Sequence, residues 1–323
     1  MIARRDEAID ILKFFAAILI TNSHLEVFEP AYKYATGGTF GDVLFIFCSG
    51  FTLFLGRMGR FDDWYKKRLM RIFPPVICWG IIAAFCFKSQ STLKDVIING
   101  GGWFVQCILI YYVLGYIINK YAIDYLKFIF LACFLITIIW FALIDKESDF
   151  TIYGWNYCKW SLFFLLFLLG AKMGLENHSY KREYSWSFLT TILFCSVVLW
   201  YMILWIQSSL MVDVYLQLLT ILPLISFTWA AYRICKMKCI AKFFAKPIIY
   251  KLYRSIGGLC YEIYLVQYII FKRVECPVEY PINIPVILCV VWIFAYILHV
   301  FTAFCLQTVH EGGYNWRQII SIY

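Results

Sequence analysis

Long apolar runs alternate with short polar connections from one end of the chain to the other. Ten runs stand out, near 9–28, 38–56, 72–87, 104–118, 125–144, 160–175, 187–206, 214–232, 257–271 and 283–306. A spanning helix needs about 20 apolar residues at about 1.5 Å each. Most of these blocks have that length. They are also continuous, whereas barrel strands alternate in character over about ten residues. The pattern predicts an all-α polytopic membrane protein with about ten transmembrane helices. The runs at 72–87 and 104–118 are short, which tilt or local thinning of the bilayer would accommodate. The first run is too long for the core of a cleaved signal peptide, and no small-residue cleavage pattern follows Thr21-Asn22-Ser23-His24. It reads as an uncleaved first helix. No repeat, low-complexity tract or separable soluble segment interrupts the series, so a single domain over 1–323 is expected.

The connections alternate between two sets, and their charges differ. The segments 1–8, 57–71, 119–127, 172–186, 233–255 and 307–323 carry 21 of the 29 Lys and Arg. The opposite set, 29–37, 88–103, 145–159, 207–213 and 272–282, carries seven. The positive-inside rule places the first set, with both termini, in the cytosol. Segment 233–255 has seven of those cations among regularly placed apolar residues, which fits an amphipathic helix on the inner surface.

Composition agrees. Hydrophobic residues make up 63% and charged residues 15%, against about 45–50% and 25% in soluble domains. Too little polar surface is left to cover a water-soluble globule. The net charge of +9 follows from the cytosolic loops and their attraction to acidic lipids, so nucleic acid is not an expected partner. Most of the 13 cysteines lie in apolar runs, where they act as small hydrophobes. No C-x-x-C pair or other ligand spacing points to a metal, and no permanently bound cofactor is implied.

Ionisable side chains in a spanning helix are costly, by about 2.5–3.5 kcal/mol at the centre, and so are functional candidates. The first run carries Asp10, Lys13 and His24. At about 100° per residue, Lys13 and His24 fall within about 20° of each other, some 16 Å apart along the axis. Ala16 and Ala17, between them, leave room for something narrow. The plainer reading has Lys13 snorkelling inward and His24 sitting in the outer headgroup layer.

Lys13-x10-His24 resembles the Arg-x10-His opening of the acyltransferase-3 family of membrane O-acyltransferases, with Lys in place of Arg. The aromatic-rich run ending Ser49-Gly50-Phe51 is similar to that family's second helix. Lys67-Arg68-x-x-Arg71-Ile-Phe73-Pro74 matches its Arg-x-x-Arg motif, followed by an aromatic and proline. Trp103-Phe104 resembles the opening of a later helix. Tyr261-Glu262-Ile-Tyr264-Leu265-Val-Gln267 resembles a late segment in which the family usually has His where Gln267 stands.

The resemblance implies transfer of an acetyl or other short acyl group from cytosolic acyl-CoA to a hydroxyl of a cell-surface polysaccharide or lipid-linked glycan. The setting would be the inner (cytoplasmic) membrane of a bacterium. It makes His24 the general base, suited by an ordinary imidazole pKa near 6.5, with Asp42 as its orienting partner. Arg68, Arg71 and Lys13 would hold acyl-CoA. Ser49, Trp103, Tyr264 and Gln267 would contact substrate. Each of these four also has a plainer role: Ser49 bonded to its own helix, Trp103 in an aromatic belt, Tyr264 and Gln267 joining helices. His299 is expected to be a bonded interior residue. A glycan transporter or flippase with no covalent chemistry is the alternative, and oligomeric state is not legible.

Overall fold

The computed structural model describes residues 6–28, 31–56, 58–88, 96, 100–144, 150–154, 156–176, 184–209, 213–274, 278–310 and 313–322. Among them every regular element is helical. The helices are α1 (Glu7–Ser23), α2 (Gly38–Leu55), α3 (Phe61–Phe87), α4 (Gly102–Tyr121), α5 (Leu126–Leu143), α6 (Cys158–Glu176) and α7 (Trp186–Ser209). They continue with α8 (Ile221–Cys235), α9 (Lys238–Phe244), α10 (Pro247–Gly258), α11 (Cys260–Arg273), α12 (Asn283–His310) and α13 (Trp316–Ile320).

Nine helical segments among the described residues are long and apolar enough to cross a membrane. They coincide with nine of the ten expected runs, and the chain is an all-α polytopic membrane protein. The run at 257–271 is the exception. Gly258 closes α10, and α11 starts only at Cys260 and stops at Arg273, giving 14 residues. That is about 21 Å of helix, short of a hydrocarbon layer of about 30 Å. The run at 72–87 errs the other way. The cationic stretch before it is helical too, so α3 has 27 residues and contains Pro74 and Pro75.

The described residues form two compact units, neither of them contiguous in sequence. The first lies within Met1–Leu12, Asp42–Met58 and Tyr111–Phe243, the second within Lys13–Gly41, Gly59–Ile110 and Phe244–Tyr323.

In the first unit α2 and α6 meet backbone to backbone. A Cβ on Gly50 would sit 2.0 Å from the Phe167 carbonyl oxygen, one on Gly170 2.2 Å from that of Phe47, and one on Gly174 2.8 Å from that of Phe51. Gly170 and Gly174 are four apart and so share a helix face, the spacing that lets membrane helices approach closely. Phe47 and Phe51 then pack at a tilt against Tyr232 of α8, at 5.6 and 5.3 Å. Tyr232 and Lys236 both bond the Asp6 carboxylate, at 3.3 and 3.1 Å.

In the second unit a core of α3, α11 and α12 residues surrounds Trp79, Val266, Ile270 and Leu298. α1 ends here at Ser23. The Ser23 hydroxyl donates to the Ile20 carbonyl at 2.8 Å, and the Asn22 amide donates to the Tyr34 and Thr36 carbonyls, both at 2.9 Å. Short polar side chains that bond nearby backbone compete with the helix ladder, and the chain tightens into a 3₁₀ turn over His24–Val27. α2 then starts hard against α1: a Cβ on Gly41 would lie 2.6 Å from Ile20 and 2.9 Å from the Ala16 carbonyl oxygen. The narrow space expected at Ala16 and Ala17 is therefore taken up, and both residues are buried.

Candidate functional site

One face of α11 organises the second unit. Tyr261, Tyr264, Gln267 and Phe271 fall within an arc of about 120°, and each meets a different segment. The Tyr261 hydroxyl donates to the Ile72 carbonyl of α3 at 3.1 Å. The Tyr264 hydroxyl donates to the Gly101 carbonyl at 3.2 Å, and its ring packs on Phe104 at 5.4 Å. The Thr21 hydroxyl of α1 donates to Gln267 Oε1 at 2.9 Å, with both residues buried. Phe271 packs edge-on against Phe28 at 5.8 Å.

His24 therefore lies between two anchors to α11. Thr21 is one turn before it and Phe28 one turn after it. The imidazole is half-buried, while its neighbour Leu25 is buried. This is how the local sequence presents a histidine: an α-helix ends, a 3₁₀ turn follows, and a buried hydrogen bond and a ring contact fix the turn on both sides.

Gly101 and Gly102 make the Tyr264 contact possible. Gly102 has φ +61°, which glycine adopts without strain, and a Cβ there would come 3.1 Å from the Tyr264 hydroxyl. Trp103 is half-buried, edge-on to Phe104 at 5.9 Å, so the Trp103-Phe104 pair adjoins Tyr264. The other side of α11 is held by Glu262. Its carboxylate lies 3.3 Å from His299 Nδ1, and His299 Nε2 lies 3.1 Å from the Ser321 carbonyl oxygen. His299 is thus bonded at both ring nitrogens, as expected of it.

Arg68 and Arg71 occupy the α3 turn just before Ile72, to which Tyr261 bonds. The Arg68 guanidinium lies 5.2 Å over the Trp64 ring and is half-buried, whereas Arg71 is exposed. Along α11, Tyr261 and Gln267 are six residues apart, about 9 Å. The cationic turn and the histidine turn thus hang on one helix face. Lys13 is half-buried in the same unit.

Asp42 and Ser49 belong to the first unit. Lys159, only 6% exposed, is buried in the same unit. The Ser49 hydroxyl donates to the Phe45 carbonyl of its own helix at 3.0 Å, its plainer role. Of the residues singled out in the sequence, Tyr264, Gln267 and Trp103 are brought together around α11, beside the His24 turn. Arg68 and Arg71 join them through Ile72.

Sequence reasoning passed over three contributors. Thr21 is a hydroxyl in an apolar run one turn before His24, and that spacing was the available signal. Tyr261 stands in the late motif, which does not by itself show its bond to Ile72. Lys159 falls in the outer connection 145–159 by sequence, and only the fold buries it.

A family model described as an acyltransferase domain matches residues 6–308, nearly the whole chain. Searches of curated proteins and of solved structures return no match.

Proposed function

The chain belongs to the acyltransferase-3 family of membrane acyltransferases, and from that premise we propose that it moves an acetyl or other short acyl group from cytosolic acyl-CoA to a hydroxyl of a cell-surface polysaccharide or lipid-linked glycan, across the inner membrane of a bacterium. Both termini are then cytosolic, which requires the 14-residue α11 to serve as the tenth crossing through a locally thinned bilayer. His24 is the general base, and Arg68 and Arg71 receive the anionic donor, with Lys13 deeper along α1. The observation that carries this reading is the buried Thr21–Gln267 bond. It holds the turn that presents His24 against the same helix face that bonds the Arg68–Arg71 turn.

In the proposed reaction His24 takes the proton from the acceptor hydroxyl as its oxygen bonds to the thioester carbonyl carbon. The carbon–sulfur bond then breaks. CoA leaves as a thiolate and receives the proton held on the imidazole. Guanidinium groups suit the donor because they bind phosphate bidentately. Tyr264 and Trp103 are assigned to substrate contact, while Gln267, buried and bonded to Thr21, holds the histidine turn.

The test is to incubate purified protein in vesicles with labelled acetyl-CoA and candidate glycans. Labelled ester should form with wild type. His24→Ala should lower the rate by about 10²–10⁴-fold, the usual contribution of a general base, without changing expression. A wild-type rate in that variant would reject the base assignment. Glycan movement with no ester formed would favour a transporter instead.

A further inference from the structure

α10 has 12 residues, about 18 Å of helix, too short to cross about 30 Å of hydrocarbon. Even so, it turns large apolar side chains outward: Ile248 is 83% exposed and Leu252 53%. Its opposite face is occupied. Tyr253 is buried and meets Phe244 edge-on at 5.2 Å. Phe244 in turn meets Phe14 and Phe15 of α1 at 6.1 and 6.0 Å, next to Lys13. At the C-terminal end of α10 Ser255, about 20° from Ile248 on the helix wheel, accepts a hydrogen bond from Trp292 Nε1 of α12 at 2.9 Å, so α12 adjoins that end of the outward face.

Charge completes the pattern. Ile248 and Leu252 lie about 40° apart on the helix wheel, with Lys251 about 60° beyond Ile248. Lys246 caps the N-terminus, and both lysines are exposed. No Asp or Glu occurs between Asp213 and Glu262. The outward face is thus apolar and cationic at once. A soluble polyanion would leave Ile248 and Leu252 in water, and a neutral leaflet would leave the lysines unmatched.

We propose that α10 is a binding surface for anionic phospholipids: Ile248 and Leu252 enter the acyl region of the leaflet while Lys246 and Lys251 hold acidic headgroups. Because Phe244 seats α10 on α1 beside Lys13, a bound lipid also braces α1. The inference rests on the form of α10 and does not depend on the acyl-transfer reading.

Hydrogen exchange of the full chain in vesicles tests it. Amides of 247–258 should become protected as phosphatidylglycerol replaces phosphatidylcholine. K246Q/K251Q should weaken the binding of α10 to acidic vesicles by about fivefold per lysine removed, from about 1 kcal/mol per cation near an acidic surface. I248S/L252S should weaken protection while keeping its dependence on acidic lipid. Exchange across α12 should be unchanged in both variants. Equal protection in pure phosphatidylcholine, or protection by soluble glycerol phosphate in neutral vesicles, would overturn the proposal, as would K246Q/K251Q behaving like wild type.

Discussion

In the α2–α6 seam of the first unit the helices meet backbone on backbone, whereas α11 of the second unit reaches its neighbours through side-chain bonds. The seam has no side chains between Gly50 and Phe167 or between Gly170 and Phe47. Its hydroxyls are used locally, Ser49 on Phe45 and Thr52 on Cys48. Such a seam gains from dispersion and close approach, and it has no polar group to offer a ligand. α11 instead spends Tyr261, Tyr264, Gln267 and Glu262 on four different partners. Each is a polar bond in an apolar setting, costly to break and able to hold a side chain in one place. One region supplies density and the other supplies position. The histidine belongs to the second.

The sharpest way to break that contrast is to add a methyl group to the seam. Gly170→Ala should destabilise by about 3 kcal/mol, the upper end for overpacking. The nearest atoms to the new Cβ are the Phe47 carbonyl oxygen at 2.2 Å and the Phe51 amide nitrogen at 2.9 Å. Backbone cannot swing aside, so the helices must part. Alanine's better helix propensity returns at most about 1 kcal/mol, so the clash wins. Gly115→Ala is the control, because its neighbours are the ends of the Leu53 and Phe167 side chains at 3.0 and 3.1 Å, which can shift. Melting temperatures should fall for the first variant and barely move for the second. Equal behaviour would show that the seam is not packed as described.

The contrast also marks how far the sequence could be read. Hydropathy is a property of long windows, so nine spanning helices were legible. The run at 257–271 is not one helix, because Gly257 and Gly258 belong to α10 and the helix breaks at Leu259. His24 was found from charge in an apolar run, and Gln267 from its motif. The bond joining their helices spans 246 residues, and no local pattern encodes it. Helix-wheel geometry placed Ala16 and Ala17 on an open stripe; the glycine that fills the space, Gly41, lies beyond a turn whose course the wheel does not contain. Lys159 looked like a loop cation because burial is set by packing.

A second test sharpens the contrast by separating stability from rate. Thr21→Val leaves the buried Gln267 oxygen without its donor, which should cost about 1–3 kcal/mol. It also releases the turn that holds His24, and the rate of acyl transfer should fall by up to about 10²-fold, since small misplacements of a reacting group have large effects. Adding Gln267→Leu replaces both partners with apolar groups and should restore most of the melting temperature. The rate should remain low, because leucine does not reproduce the polar contact beside the base. Recovery of both quantities together would reduce Thr21 and Gln267 to packing.

The smallest expected effect is in the seam again. The Ser49 hydroxyl is half-buried and bonds only the fourth carbonyl back on its own helix, an arrangement that slightly weakens a helix. Ser49→Ala removes that bond, but the Phe45 carbonyl keeps its place in the helix ladder, so no buried group is orphaned. The change in stability should stay within about 0.5 kcal/mol. The acceptor KM should also stay unchanged, because the hydroxyl hydrogen is already committed within α2. Steady-state kinetics over a range of acceptor concentrations would decide it. A severalfold rise in acceptor KM at constant melting temperature would place Ser49 on the substrate path, and the seam would then supply position as well as density.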